Sequence, residues 1–241
     1  MDTAIPQPWR TERRNLFRWS AAAGLGLAIT QLGALQALAA SNESVKDIIN
    51  IAATAEALAV TLTGAVITGA AKYDGGKGLS TTAVRWIKGI QAEEKAHYDY
   101  LVAAGAQALT LTFTIPQSLV GITNNSATLL NFVVSAETIF IGAYAAAAQE
   151  FAQLKQPTLA KIALEILGVE AEHRTLAHYL TGAVPPNNLG FESAPYHNVA
   201  EAAAAVKNLG LLGTLNPAAT LSFNTFANSV DFSGVSDLKP Q

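Results

Sequence analysis

Six residues in this sequence combine metal-ligating chemistry with helical spacing: Glu56, Glu94, His97, Glu137, Glu170 and His173. Four of them form two identical motifs, Glu94-x-x-His97 and Glu170-x-x-His173. A spacing of three sets both side chains of a motif on one face of a helix, so that both can point at one metal. The other two, Glu56 and Glu137, each precede a motif, giving the order Glu, Glu-x-x-His, Glu, Glu-x-x-His. A single Glu-x-x-His arises easily by chance and is weak by itself. Two of them, each with its own upstream glutamate, form a specific pattern.

The neighbours of these residues say where they sit. Read at alternating spacings of three and four, they fall in the middle of apolar stripes. Ile49, Ala53, Val60, Thr63 and Ile67 flank Glu56. Ala83, Ile87, Ile90, Leu101 and Ala104 flank Glu94 and His97. Leu130, Val133, Phe140, Tyr144, Ala147 and Phe151 flank Glu137, and Leu159, Ile162, Ile166, Ala177 and Leu180 flank Glu170 and His173. Each stripe therefore aims a carboxylate at a core. An ionised carboxylate buried alone is costly and tends to take up a proton. Four at one level would repel strongly unless cations held them together. Two divalent ions bring four positive charges, balance four carboxylates and leave both imidazoles neutral. Carboxylate-rich ligation with one histidine per metal suits iron or manganese. Two such ions can exchange two electrons with O2, peroxide or Fe(II).

Other polar residues read as less central. Glu93 and Glu172 flank the motifs and are expected to be exposed or to support the ligands. Glu150 and Glu165 fall off the stripes and are expected to be solvated, and His178 and His197 lack a glutamate at the right spacing. Tyr144, two turns beyond Glu137, is either a core tyrosine with its hydroxyl satisfied or a donor of a hydrogen bond or an electron near the metals.

The elements that must position the six follow from caps and breakers. The first helix is expected over 42–73, with Ser44 or Asn42 as its cap, ending at Asp74-Gly75-Gly76-Lys77-Gly78. The second runs over 80–104 and the third over 127–154. The fourth covers 157–181 with Pro157 in its first turn, where proline is tolerated. The connection 105–127 is long, β-branched and interrupted by Pro116, and so in part extended. A helix of 25 residues is roughly 37 Å long, and about 22 residues of chain can cross that length. Two tight antiparallel hairpins joined by one long crossover is an all-α, ferritin-like four-helix bundle. The residues after 184 are expected to supply one short helix over 199–209 and an otherwise irregular tail.

Here the chain resembles the ferritin-like superfamily, and within it the bacterial exported ferritin-like domain proteins related to plant desiccation-associated proteins. The resemblance rests on the six residues and extends softly to the Ala-rich segment after Phe191. It implies that the six ligate two iron or two manganese ions. It implies either ferroxidase-, peroxidase- or catalase-like chemistry, or a stress-related envelope protein in which the metals are structural. A hydroxylase would need a cavity beside the metals, which sequence does not reveal.

Composition bounds the rest. The 241 residues are 50% hydrophobic and 14% charged, enough for one sizeable core. The net charge of −3 gives no case for a nucleic-acid partner. Without cysteine there are no disulfides, thiolate metal sites or thiol catalysis. Residues 1–39 have the layout of an export signal. Arg10, Arg13, Arg14 and Arg18 are followed by a Gly- and Ala-rich apolar run and then Ala37-Leu38-Ala39. Arg13-Arg14-Asn15-Leu16-Phe17 resembles a twin-arginine signal, although Leu16 and Phe17 stand in the reverse of the usual order. That implies a partner in the twin-arginine export machinery and a periplasmic or extracellular protein, with an uncleaved anchor as the alternative. Domain boundaries are expected at 39/40 and 183/184, and a homo-oligomer is left open.

Overall fold

The computed structural model describes residues 43–187 and 189–240; the expected signal segment lies outside them. Four long helices form the bundle: α1 Val45–Gly69, α2 Thr81–Ala103, α3 Ser126–Gln153 and α4 Pro157–Leu180. Their starts follow local chemistry. The Ser44 hydroxyl accepts from the Asp47 backbone N–H while the Asp47 carboxylate accepts from the Ser44 N–H, a complete capping box. Ser80 caps α2 and Asn125 caps α3, each by accepting from a backbone N–H of the first turn, and Pro157 opens α4. Such caps contribute about 1 kcal/mol each. The glycine-rich break after α1 is a turn in which Asp74, Gly75, Gly76 and Gly78 all have positive φ. There the Asp74 carboxylate accepts from the backbone N–H and hydroxyl of Ser126, tying the end of the first helix to the start of the third.

α1 packs on α2 and α3 on α4, as the short connections require, and the two hairpins close on each other. α1 with its extension (Val45–Gly76) and α3 are long and apolar enough to cross a membrane by composition. In this fold each instead presents a buried glutamate to the bundle interior. One apolar cluster gathers Ile48, Ala53, Leu101, Tyr144 and Ile166, and the other gathers Leu58, Val60, Ile87, Phe113 and Phe140. Glu56 and Glu94 fall between the two in sequence and in space. One stripe position departs from expectation: Ala104 is exposed, because α2 has already ended at Ala103.

The crossover is partly extended, as its β-branched sequence suggested. Strand β1 Thr112–Ile115 is followed by a 3-10 stretch, Gln117–Thr123. The expectation of an otherwise irregular tail needs correction. Besides a short helix, α5 Val199–Asn208, the tail supplies strand β2 Ala219–Ser222, antiparallel to β1 with Phe113 opposite Leu221. No local periodicity marks so short a strand, and its partner lies far away in sequence. The tail then lies closely against the bundle. A Cβ at Gly64 of α1 would come 2.6 Å from the side chain of Phe226, and one at Gly142 of α3 would come 2.9 Å from Tyr196. Glycine at both positions is what lets these aromatic side chains lie against the helix backbones.

The docking of α5 overturns the expectation that Glu150 is solvated. Its carboxylate is buried and accepts from the Val199 N–H at 2.9 Å, while Glu43 accepts from the Ala200 N–H at 3.1 Å. Both carboxylates meet the positive end of α5. Glu150 lies off the stripe facing the metal residues because it faces the tail.

Candidate metal centre

All six sequence-predicted residues converge at mid-height of the bundle, one glutamate from each of α1 to α4 and a histidine from α2 and α4. Glu94 and Glu170 are fully buried, and Glu56, Glu137 and His173 nearly so. His97 keeps a side-chain exposure of 14%, the largest of the six.

The six resolve into two overlapping sets. In one, Glu56, Glu94, His97 and Glu170 each offer a ligand atom, all mutually within 4.8 Å; in the other, Glu94, Glu137, Glu170 and His173 do the same. His97 Nδ1 lies 3.5 Å from Glu56 Oε2, 3.8 Å from Glu94 Oε2 and 3.6 Å from Glu170 Oε1. His173 Nδ1 lies 3.2 Å from Glu94 Oε1, 3.2 Å from Glu170 Oε2 and 4.0 Å from Glu137 Oε1. Glu94 and Glu170 thus turn one oxygen to each histidine. The expectation that each motif serves a single position is sharpened: the motif glutamates are shared, and Glu56 and Glu137 each belong to one position only.

Without cations this cluster is badly satisfied. Of eight buried side-chain polar atoms without a hydrogen-bond partner among the described residues, six are here: Glu56 Oε2, both oxygens of Glu94, His97 Nδ1, Glu137 Oε2 and Glu170 Oε1. Buried polar groups are nearly always paired, so a cluster of orphans facing one another fits a missing cationic partner.

The protonation of the metal-free site carries the same message. Burial, then the neighbouring charge of Glu94, pushes the Glu56 carboxyl up to about 8. Burial and the Glu170 charge push Glu137 well above the usual carboxylate range. Burial alone would lower His97, but Glu56, Glu94 and Glu170 hold it up to about 10. His173 is likewise held well above its ordinary value against burial, by hydrogen bonds with Glu170, Glu93 and Glu94. For Glu94, burial and Glu170 push upward, yet the closeness of Glu56, His173 and His97 keeps it below the ordinary value. Raised carboxyls beside raised imidazoles are the response of buried negative charges that need positive partners.

Two residues outside the six complete it. Tyr144 is buried and its hydroxyl donates to Glu56 Oε1, which leaves Oε2 as the free oxygen facing His97. Burial and the Glu56 charge hold this phenol well above its usual range, so it stays a donor. Tyr144 is thus a core tyrosine with its hydroxyl satisfied, and the acceptor is a residue of the cluster. Glu93 lies 2.7 Å from His173 Nε2, the nitrogen facing away from the cluster. If Nδ1 ligates, Nε2 must carry the proton, and the Glu93 carboxylate accepts it; such a partner fixes ring orientation and raises ligand basicity. Glu172 is exposed. A pairing that sequence reasoning missed adjoins His173: buried Arg174 donates to Glu192 of the tail from both terminal nitrogens, at 2.8 and 2.5 Å. Nothing local to either residue signals it.

A sequence profile described as the ferritin-like domain matches residues 44–183, more than half of the chain. The chain belongs to the ferritin-like domain family. The matched segment ends just after α4, so it contains all six cluster residues and both hairpins, while α5, β2 and the rest of the tail lie beyond the matched residues. Among the curated proteins and the solved structures compared with the chain, none matches.

Proposed function

We infer that this is an exported ferritin-like protein whose two overlapping Glu/His sets bind two iron or two manganese ions and act in redox chemistry on O2, H2O2 or Fe(II). The observation that carries the reading is the set of six unpartnered buried atoms facing one another across two ligand sets that share Glu94 and Glu170. Glu56 and His97 would complete one ion's ligands, and Glu137 and His173 the other's. Four carboxylates match two divalent charges with both imidazoles neutral, a donor set suited to Fe or Mn. When bound, a pair of such ions supplies two-electron exchange with a small oxidant.

The chain's own residues do the rest. Glu94 and Glu170 hold the two positions together. Tyr144 donates to one oxygen of Glu56 and so directs the other inward. Glu93 holds the His173 ring by its outer nitrogen. The apolar clusters at both ends keep bulk water from the buried side, while His97 marks the solvent side. The twin-arginine-like residues Arg13 and Arg14 support an exported protein, periplasmic or extracellular, because that route carries proteins that fold with their cofactor beforehand.

The test is to load purified protein with Fe(II) or Mn(II) and follow absorbance and peroxide loss on adding H2O2, or Fe(II) with O2. Redox function predicts turnover that disappears in Glu170→Ala. Bound metals that stay silent toward both would instead support the stress-related reading in which they are structural.

A further inference from the structure

The two hairpins deliver equivalent ligands, but not equivalent neighbours. Seven residues beyond Glu137 on α3 stands Tyr144, which reaches across to Glu56. Seven residues beyond Glu56 on α1, the matching position, stands Thr63. Thr63 is far smaller than tyrosine, and its hydroxyl is spent on the backbone carbonyl of Ala59 at 2.7 Å. Beside it the bundle has two apolar recesses, each partly open to solvent. A cavity of about 90 Å³ and a second of about 50 Å³ both have Thr63 and Glu137 in their walls, and they share Leu62, Ile90, Phe132 and Val133. Neither is lined by Glu56, His97 or Tyr144.

The chemistry of the walls limits what this space can hold. The larger cavity is lined by aliphatic and aromatic side chains apart from Glu137 and a few hydroxyl groups. Those hydroxyls are already used: Tyr73 donates to the Ile122 carbonyl, Thr123 to that of Val120, and Thr63 to that of Ala59. Water in such a recess finds few polar partners in the walls, whereas an apolar guest gives up none by entering it. The unpartnered polar atom at the wall of the larger cavity is Glu137 Oε2, and the smaller one is also lined by Glu94, whose two oxygens are unpartnered; both residues belong to the candidate ligand sets.

We propose that this cavity is a binding site for a small, neutral, non-polar molecule, no larger than benzene, held against the Glu137 and His173 side of the centre. That the guest is what the metals act on rests on the two-metal reading above; the cavity itself does not. The absence of a second tyrosine at position 63 is what creates the site.

Xenon under pressure is the direct probe, because it enters apolar recesses without needing a polar partner. Crystals of the native full-length protein, with and without loaded Mn(II), should show a xenon peak between Thr63, Val133 and Glu137. Added benzene should displace it. Thr63→Phe, which fills the space from α1, should lose the peak, and Val133→Phe should lose it from α3. Ordered water in the cavity, no xenon there in native protein, or undiminished xenon in both filled variants would overturn the proposal. Metal content of the same samples is read separately. Xenon bound with no metal taken up would sink the two-metal reading and leave the cavity site standing; metals bound with no xenon would do the reverse.

Discussion

The two halves of the centre have the same ligands and different surroundings. On the α1–α2 side, Glu56 is hydrogen-bonded by Tyr144 and His97 is partly exposed to solvent. On the α3–α4 side, Glu137 borders an apolar recess, and buried His173 is backed by Glu93. One half is bordered by a polar hydroxyl and a partly exposed imidazole; the other borders an apolar recess. A repeated motif thus fixes where ions would go, while single residues at matching positions, Tyr144 and Thr63, decide what can approach each one. A proton or a polar oxidant such as H2O2 would reach the first half most easily, and a non-polar guest the second.

The largest break in this symmetry should come from separating shared from private ligands. Glu170→Ala or Glu94→Ala removes an oxygen from both positions, and elemental analysis after loading should fall from about two ions per chain to about none. Glu56→Ala or Glu137→Ala should leave about one. If shared and private substitutions lose the same amount, the assignment of Glu94 and Glu170 to both halves is wrong.

Proton linkage should come next, and it should involve both halves. In the metal-free site Glu56 holds its proton up to about 8 and His97 up to about 10, so both are protonated at pH 7. Ligands must shed these protons to bind metal. Apparent affinity should therefore rise with pH from 6 to 8, by about tenfold per pH unit for each proton displaced. Calorimetry at pH 7 in buffers of different ionisation heat should show net proton release. Binding that is independent of both pH and buffer would contradict the protonated metal-free cluster.

Smaller and more selective effects are expected from the supporting pair. Tyr144→Phe should weaken the Glu56 position and Glu93→Gln the His173 position, each by about 10- to 100-fold in affinity, with two ions still bound at saturation. Competitive chelator titration would separate a weakened first ion from a weakened second. A change remote from both halves should leave the comparison untouched. Glu43, near the start of α5, is pushed up to about 7 by burial and by Glu150. A carboxyl raised on folding contributes stability below its ordinary value of about 4.5, lost as pH climbs through 7. Glu43→Gln should raise stability at pH 8 by about 1–3 kcal/mol, leave it unchanged at pH 4 and not alter metal content. Thermal melts at the two pH values read the difference.

Much of this was legible in the chain, for identifiable reasons. The four helices announce themselves by Ser44, Ser80, Asn125 and Pro157 at their starts and by apolar periodicity along their length. The six cluster residues stand out because a charge in the middle of an apolar stripe has no ordinary explanation. What stayed hidden depends on meetings between distant segments. That Glu150 and Glu43 face the N-terminus of α5, that Arg174 meets Glu192, and that β1 finds β2 are facts about how the tail lies, and no local pattern encodes them. The division of the Glu94 and Glu170 oxygens between two histidines needs the relative rotation of four helices. The cavity is hidden most deeply, since it is an absence beside Thr63 rather than a residue.

The central claim is tested most directly by anomalous diffraction from crystals of the protein loaded with Mn(II) or Fe(II). Two peaks roughly 3.5–4 Å apart should appear, both touching Glu94 and Glu170, one also touching Glu56 and His97, the other Glu137 and His173. A single peak, or ions bound away from these six residues with the cluster still protonated, would contradict it.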